Sequence, residues 1–350
     1  MQRRCISAML SEQPPWLDRW FSLRMSLKAH RLSLRARLRA GDLTLLRRGT
    51  WARDAILLFC TIRNEIERID WFLRHYRGLG VDHFIFIDNA STDGTGELLR
   101  AQPDATLYTT AASYKAARFG QDWITALMDR HGHRHWCLVV DADELLIYPH
   151  WPARPLPALT AWLTREDLPV LPALLLELYP KGALGAAACP PGADPLAVLE
   201  WFDAGNYTIR HKPLLDTLLI QGGPRARMFF TKTPERAPTL TKLPLIRWRR
   251  GYAWANSTHS ILPRGLNRVY SRDGGEGISG ALLHTKFLPT IRKKSAIEKQ
   301  RGEHFGNAPI FDAYYDALAA GPRLWTPAST RFEGWQQLEE LGLMSRGGWA

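Results

Sequence analysis

The chain has 350 residues, of which 45% are hydrophobic and 23% are charged. These proportions are typical of a globular protein and exclude a wholly disordered chain, and the length suits one large domain or two smaller ones. The net charge of +12 is concentrated near the N-terminus, because residues 1–53 hold 12 Lys or Arg and 3 Asp or Glu, which gives +9 and leaves +3 for the other residues. A body so close to neutral disfavours nucleic acid as a partner, since phosphate binding needs a basic folded surface.

The sequence favours neither a signal peptide, nor a membrane-spanning helix, nor a disulfide framework. No run of about 18 apolar residues is present, which a membrane-spanning helix would need, and residues 1–10 lack the apolar core of a signal peptide. The cysteines show no CxxC spacing. We therefore expect reduced thiols and a cytoplasmic location, either free in the cytoplasm or peripheral at the inner face of the membrane.

The N-terminal segment has the apolar period of a helix. Large apolar residues recur every three, four or seven positions, which places them on one helical face: Trp16, Trp20, Leu23, Leu27, Leu34 and Leu38. An adjoining stripe is basic: Arg24, Lys28, Arg31, Arg35 and Arg39. We therefore expect a basic amphipathic arm over residues 1–50. Two interpretations stay open: the leucine face packs on the body, or residues 16–39 lie on an anionic membrane surface.

The segment from residue 54 to residue 150 alternates between strand and helix patterns. Apolar runs of strand length occupy residues 55–62, 83–87 and 136–140, residues 106–109 also look like a strand, and helical periods separate them. Continuous apolar runs are typical of strands that are buried on both faces. The alternation predicts an α/β fold with a mostly parallel sheet between two helical layers.

Three of these predicted strands end in polar clusters, at residues 63–65, at residues 88–93 and at the pair Asp141 and Asp143. Ligands bind at the carboxyl ends of parallel strands, so we expect the clusters to converge. Side chains alternate along an extended chain, which predicts that the two aspartates share one side and suit Mn²⁺ or Mg²⁺. A strand-ending acidic turn and a phosphatase with a nucleophilic aspartate are the alternatives.

The order of these motifs resembles the family 2-like glycosyltransferases of the GT-A fold. The resemblance rests on Arg63-Asn64-Glu65, on the helix from Trp71 to Gly80, on Asp88-Asn-Ala-Ser-Thr-Asp-Gly-Thr95 and on Val139-Val-Asp-Ala-Asp-Glu-Leu145. The stretch from His75 to His83 looks most like the bacterial branch related to glycosyltransferase family 92. The resemblance to the family 2-like glycosyltransferases implies a Rossmann-like nucleotide-sugar-binding core over residues 51–180, followed by an irregular acceptor-side part over residues 181–350.

The resemblance also implies roles for individual residues. The nucleotide sugar would be bound by the two strand-end clusters and the first aspartate of the pair: Arg63, Glu65, Asp88, Asn89, Ser91, Asp93 and Asp141. Asp141 and Asp143 would hold the metal on the donor diphosphate, with His284 as the favoured third ligand and His259 as the next. Many family members have a second aspartate where this chain has Asn89.

The implied reaction is metal-dependent transfer of a sugar, with inversion, from a nucleotide-sugar donor to a glycan or lipid-linked acceptor in surface polysaccharide or glycoconjugate synthesis. Inversion needs a base on the acceptor hydroxyl, and Asp203 is the candidate, with Glu177 behind it. The rivals are a phosphatase or nucleotidyltransferase that uses the same aspartates, and an inactive GT-A-like scaffold. Residues 61–65 lack the glycine-rich phosphate loop that a nucleotidyltransferase would show after its first strand.

Overall fold

The structure, a computed structural model, describes residues 14–268, 277–301 and 308–350. The strands are β1 (Thr44–Arg47), β2 (Leu57–Ile62), β3 (His83–Asp88), β4 (Ala105–Thr109), β5 (Trp136–Val139), β6 (Glu144–Ile147), β7 (Val170–Glu177), β8 (Trp201–Phe202), β9 (Thr208–Lys212), β10 (Thr217–Gln221), β11 (Thr241–Arg247), β12 (Ala253–Trp254), β13 (Ile261–Leu262), β14 (Gly280–His284) and β15 (Thr330–Arg331). The helices are α1 (Pro15–Arg39), α2 (Ile66–Leu79), α3 (Thr95–Arg100), α4 (Gln121–His131), α5 (Leu156–Arg165), α6 (Gly223–Phe229), α7 (Ile291–Arg301), α8 (Ala308–Ala319) and α9 (Trp335–Glu340).

One large sheet organises the fold, with the strand order β1-β4-β3-β2-β5-β11-β7-β14-β6. Strands β4, β3, β2, β5, β7 and β14 run in one direction, while β1, β11 and β6 run against them. This mixed α/β arrangement with a mostly parallel sheet is consistent with a Rossmann-like GT-A fold. The chain places β3 and β4 on one side of β2 and β5 on the other, so the topological switch point lies between β2 and β5.

Apolar side chains on both faces of the sheet create two cores. On one face Leu58 of β2 packs with Phe72 of α2, and on the other face Phe59 packs with Trp123 of α4. Successive side chains of a strand point to opposite faces, so a continuous apolar run is needed to fill both cores. The central sheet therefore lies between helical layers, as the sequence predicts.

The C-terminal half contributes to the same sheet. Strands β11 and β14 both follow residue 181 in the chain, yet β11 lies between β5 and β7, and β14 lies between β7 and β6. A strand that pairs on both sides needs its neighbours to satisfy its backbone groups. Strands from residues 181–350 are therefore needed to complete the central sheet.

Helix α1 packs on the body through a face that the sequence pattern did not indicate. Its buried residues are Met25, Ala29, Ser33 and Ala36, and the helix contacts α4, β12 and β13. The predicted Trp and Leu face points away from the body and is exposed. The interpretation that the leucine face packs on the body is therefore wrong. Within the described ranges, no helix combines the length and the apolar character required to cross a bilayer.

Candidate active site

The carboxyl ends of the parallel strands bring polar and charged residues to one edge of the sheet, which we call the carboxyl edge. Strand β2 leads into residues 63–65, β3 ends at Asp88, β7 ends at Glu177 and β14 ends at His284. Strands β11 and β6 run the other way, so they begin at this edge and bring Lys242 and Glu144 to it. These polar strand ends therefore line the carboxyl edge from β3 to β6.

Residues 141–143 form a turn between β5 and β6, which we call the acidic turn. The backbone N–H of Glu144 donates to the carbonyl oxygen of Asp141 (3.0 Å), which closes the turn. The predicted alternation along an extended strand is therefore wrong at this point, and the two carboxylates differ in environment. The side chain of Asp141 is 56% exposed, whereas that of Asp143 is 21% exposed.

Asp143 is surrounded by positive charge. Its Oδ2 lies 3.2 Å from Nε2 of His284 and 3.7 Å from Nη1 of Arg68. Its carbonyl oxygen accepts hydrogen bonds from the backbone N–H (2.7 Å) and the hydroxyl (3.0 Å) of Thr285. Burial raises the pKa of Asp143, but His284 and Arg68 outweigh burial and hold that pKa well below its ordinary value. Asp143 is therefore an ionised carboxylate at neutral pH.

His284 lies between carboxylates on both sides of its ring. It is in register with Glu177 of β7 and with Glu144 of β6. Its Nδ1 is buried and lies 3.7 Å from Oε1 of Glu177, slightly too far for a hydrogen bond. Burial lowers the pKa of His284, but Asp143 and Glu177 raise it above its ordinary value. An imidazole with one nitrogen at the site and a carboxylate behind the other is the arrangement that orients metal-binding histidines.

The fit of these residues to a divalent cation can be tested on geometry. Two ligands at right angles on an ion with bonds of about 2.1 Å lie about 3 Å apart, and Asp143 Oδ2 and His284 Nε2 are 3.2 Å apart. Within residues 14–268, 277–301 and 308–350, no group of three His, Cys, Asp or Glu side chains is arranged to hold a metal ion. Mg²⁺ is usually held by one or two carboxylates together with substrate phosphates, so Asp143 with Asp141 nearby suits such an ion. The imidazole of His284 would join them only after losing the proton that it directs at Asp143.

Lys242 links the acidic turn to the buried base of the site. Its ammonium lies 2.7 Å from Glu144 Oε1 and 3.5 Å from Asp141 Oδ2, and the side chains of Lys242 and Glu144 are 5% and 2% exposed. Burial lowers the pKa of Lys242, but Glu144 and Asp141 raise it above its ordinary value. Lys242 therefore stays charged and holds Glu144 in place beneath the turn.

Further cations border Asp143. Lys286 is half-buried beside it, and burial lowers the pKa of Lys286 although the charge of Asp143 raises it. In the described part of the chain Lys286 makes no ion pair or hydrogen bond. Arg68 and Lys294 instead share Glu65, whose Oε2 lies 2.9 Å from Arg68 Nε. Arg68 and Lys286 therefore lie beside the ionised Asp143, and basic side chains in such a place suit an anionic ligand such as a diphosphate.

The predicted nucleotide-binding loops are joined to each other by hydrogen bonds. Ser91 Oγ accepts from the backbone N–H of Asn64 (2.9 Å), and Asp93 Oδ2 accepts from that of Ile66 (3.1 Å), the first residue of α2. Asp88 Oδ1 accepts from the backbone N–H of Ser91 (3.0 Å). Asp93 also accepts from Thr95, and these contacts lower its pKa although burial raises it. Ser91 and Asp93 therefore have a structural role that requires no ligand.

Asn89 and Arg63 also contact the backbone of this region. Asn89 is buried and donates from Nδ2 to the carbonyl oxygens of Thr110 (3.1 Å) and Ala112 (3.0 Å). Arg63 Nη1 donates to the carbonyl oxygen of Asn89 (2.8 Å). The asparagine that departs from the family pattern is thus used to hold the loop that follows β4.

His259 and Asp203, predicted as a metal ligand and as the catalytic base, both have hydrogen-bond partners within the protein. His259 donates from Nδ1 to the carbonyl oxygen of Thr241 (2.7 Å), and burial lowers its pKa to about 3, so it is neutral. Asp203 accepts from Arg227 Nε (2.9 Å) and Nη2 (3.1 Å), and it also accepts from Tyr179 and Asn206. No contact in the described ranges joins either residue to Asp143.

The residues of the candidate site that sequence reasoning missed are cations. Arg68 and Lys242 were not predicted, and Arg225 pairs with Glu177 in the interior. The sequence held one signal for Lys242, which is a charged residue inside the otherwise apolar strand pattern of Thr241–Arg247. Such a lysine indicates a buried ion pair, since buried lysines are rare unless they are paired.

Comparisons with known proteins do not show what this chain does. No protein-family model matches the chain, and no curated protein matches it. The chain is similar over 44% of its length to a solved structure, "Mannosyltransferase PcManGT from Pyrobaculum calidifontis in complex with GDP-Man and Mn2+", at 20% identity and a TM-score of 0.28, and it spans 46% of that chain. It is similar over 40% of its length to a 4-diphosphocytidyl-2C-methyl-D-erythritol synthase, at 13% identity and a TM-score of 0.25, and it covers 69% of that chain.

Proposed function

We propose that this protein is a metal-dependent glycosyltransferase of the GT-A type that uses a nucleotide-sugar donor. The observation that carries the proposal is the pairing of Asp143 with His284 at the carboxyl edge, with Arg68 and Lys286 beside them. A carboxylate and an imidazole suit a divalent cation, and the surrounding cations suit the diphosphate that such a cation binds.

The proposed division of labour follows the charges. Asp143 and His284 would hold a Mn²⁺ or Mg²⁺ ion, with the exposed Asp141 beside them, and Glu177 would orient the imidazole from behind. When bound, the ion supplies a Lewis acid that stabilises the negative charge of the leaving nucleoside diphosphate. Lys286 would bind the same diphosphate oxygens as a point charge.

Glu65 and Asp88 are the carboxylates proposed to contact the nucleoside. Both lie at the carboxyl edge, Glu65 just after β2 and Asp88 at the end of the neighbouring strand β3. Ser91, Asp93 and Asn89 would act indirectly, because their hydrogen bonds fix the shape of the loop.

The acceptor is proposed to be a glycan or a lipid-linked saccharide, and the transfer to be inverting. Asp203 stays outside the proposed machinery, since Arg227, Tyr179 and Asn206 already donate to its carboxylate. The acceptor hydroxyl would therefore lose its proton to another group at the carboxyl edge.

Product analysis tests this proposal. The full chain is incubated with nucleotide sugars and Mn²⁺, and nucleoside diphosphate is separated from phosphate and pyrophosphate. We expect release of nucleoside diphosphate with one donor, and a loss of about a hundredfold or more in Asp143→Asn. The matched control is Asp70→Asn on the surface, where the aspartate is 54% exposed and pairs with Arg74. Release of phosphate or pyrophosphate instead would identify a phosphatase or nucleotidyltransferase and contradict the proposal.

A further inference from the structure

Helix α1 carries a row of large apolar side chains that no part of the described structure covers. We call this row the exposed stripe, and its members are Trp16 (68% exposed), Trp20 (49%), Leu23 (64%), Leu27 (57%), Leu34 (52%) and Leu38 (75%). Isolated exposed leucines are ordinary on protein surfaces, but six large apolar side chains exposed on one face of a helix mark an interaction surface.

The exposed stripe lies opposite the face through which α1 packs on the body. At 3.6 residues per turn the six side chains fall within an arc of about 60°, and the buried residues Met25, Ala29 and Ala36 fall on the other side of the helix. The packing of α1 therefore explains one apolar face and leaves the second unexplained.

Exposed arginines lie on both flanks of the stripe. Arg24 and Arg31 lie on one side of it and Arg19 and Arg37 on the other, and all four are exposed. An apolar strip between two basic rows is the pattern of helices that lie in the headgroup region of a membrane, where Trp and Leu enter the acyl boundary and Arg contacts anionic lipid.

Ion pairs fix which way α1 faces. Arg264 Nη1 lies 2.5 Å from Asp18 Oδ1, and Arg35 Nε lies 2.7 Å from Asp122 Oδ2. The Asp122 side chain is fully buried in the first turn of α4, and α4 begins at the carboxyl edge because it connects the end of β4 to the start of β5. The helix therefore cannot turn its stripe inward without breaking these contacts.

We propose that the exposed stripe docks the protein on the surface of an anionic phospholipid bilayer. Charge complementarity selects this occupant over a second copy of the chain, since two copies in contact through the stripe would bring their arginine rows together. The inference rests on α1 alone and does not depend on the proposed transferase activity.

Vesicle flotation with the full chain tests the inference. Vesicles of phosphatidylcholine alone are compared with vesicles that also contain phosphatidylglycerol. We expect binding only to the anionic vesicles, and weaker binding as salt rises from about 0.1 M to about 1 M, which shortens the Debye length from about 10 Å to about 3 Å. The variant Leu23→Gln/Leu27→Gln should lose about tenfold or more in partitioning, and each of Arg24→Gln and Arg31→Gln about fivefold.

A matched control variant is Leu168→Gln/Leu341→Gln, which changes two leucines that are each 37% exposed outside α1. The control should float like the unchanged chain. Absence of flotation, equal flotation of the two leucine variants, or binding that ignores lipid charge would overturn the inference. A dimer in sedimentation that only Leu23→Gln/Leu27→Gln dissociates would also overturn it, since a second copy would then be the occupant.

Discussion

The buried pair of Lys242 and Glu144 makes a strong prediction about stability. The ammonium and the carboxylate are 2.7 Å apart, and the two side chains are 5% and 2% exposed. In Lys242→Met, Glu144 would remain buried without its cation. Burial already raises the pKa of Glu144 although Lys242 lowers it, so removing the lysine leaves a carboxylate that must either take up a proton or remain charged in the interior.

The size of the effect follows from this burial. Removing one partner of a buried ion pair costs about 3–5 kcal/mol. At about 2.1 cal/mol/K per residue, the unfolding entropy of a chain of 350 residues is about 0.7 kcal/mol/K. We therefore expect the melting temperature of Lys242→Met to fall by about 4–7 °C.

Differential scanning calorimetry on a double-mutant cycle measures this interaction. Glu144→Gln keeps the acceptor for the backbone N–H of Asp141, which lies 3.1 Å from Oε2. The double variant Lys242→Met/Glu144→Gln should recover most of the loss, because neither charge is left alone. The exposed pair of Arg74 and Asp70 is the control, and Arg74→Met should cost less than about 1 kcal/mol. Strictly additive losses in the double variant would refute the reasoning.

Three further predictions concern other parts of the molecule. Burial lowers the pKa of His75 to about 4, so the folded state keeps the imidazole neutral and the free energy of unfolding falls as the pH drops below about 6.5. In urea titrations, His75→Gln should remove about 2 kcal/mol of the stability that the chain loses between pH 7 and pH 5. An unchanged pH profile in this variant would refute the prediction. Asp122→Asn should speed tryptic cleavage within α1, because Arg35 loses its charged partner, and cleavage at the normal rate would contradict that role. In Asp203→Asn, Arg227 loses a partner, so we expect the melting temperature to fall while turnover is largely kept. Abolished transfer at normal stability would instead identify Asp203 as the base.

The first half of the sheet could be predicted because its signal is local. Residues 55–62, 83–87, 106–109 and 136–140 correspond closely to β2, β3, β4 and β5. The runs at residues 55–62, 83–87 and 136–140 are mostly apolar, as burial of a strand on both faces requires. Strand β11 escaped prediction because Lys242 interrupts its apolar run, and its place between β5 and β7 depends on partners distant in the chain.

The site was predictable in its location more than in its detail. The carboxyl edge follows from the alternation of strands and helices, and the family resemblance indicated His284, which lies next to Asp143. The backbone of the acidic turn did not follow, since an aspartate pair two residues apart fits either a strand or a turn. The cations Arg68 and Lys242 also escaped, because long-range pairing and not local sequence decides which basic residues are buried.

The central claim is that the carboxyl edge binds a nucleoside diphosphate group through a divalent metal ion. A thermal-shift panel with UDP, GDP, CMP and dTDP, each with and without Mn²⁺, tests it on the unchanged chain and on Asp143→Asn. Ligand at about 100 times its Kd stabilises by about 2.7 kcal/mol, or about 4 °C at about 0.7 kcal/mol/K. The account predicts such a rise with one nucleoside diphosphate, only with Mn²⁺, and its loss in Asp143→Asn. A rise that is independent of the metal or persists in the variant, or no rise with any nucleotide, would contradict the claim.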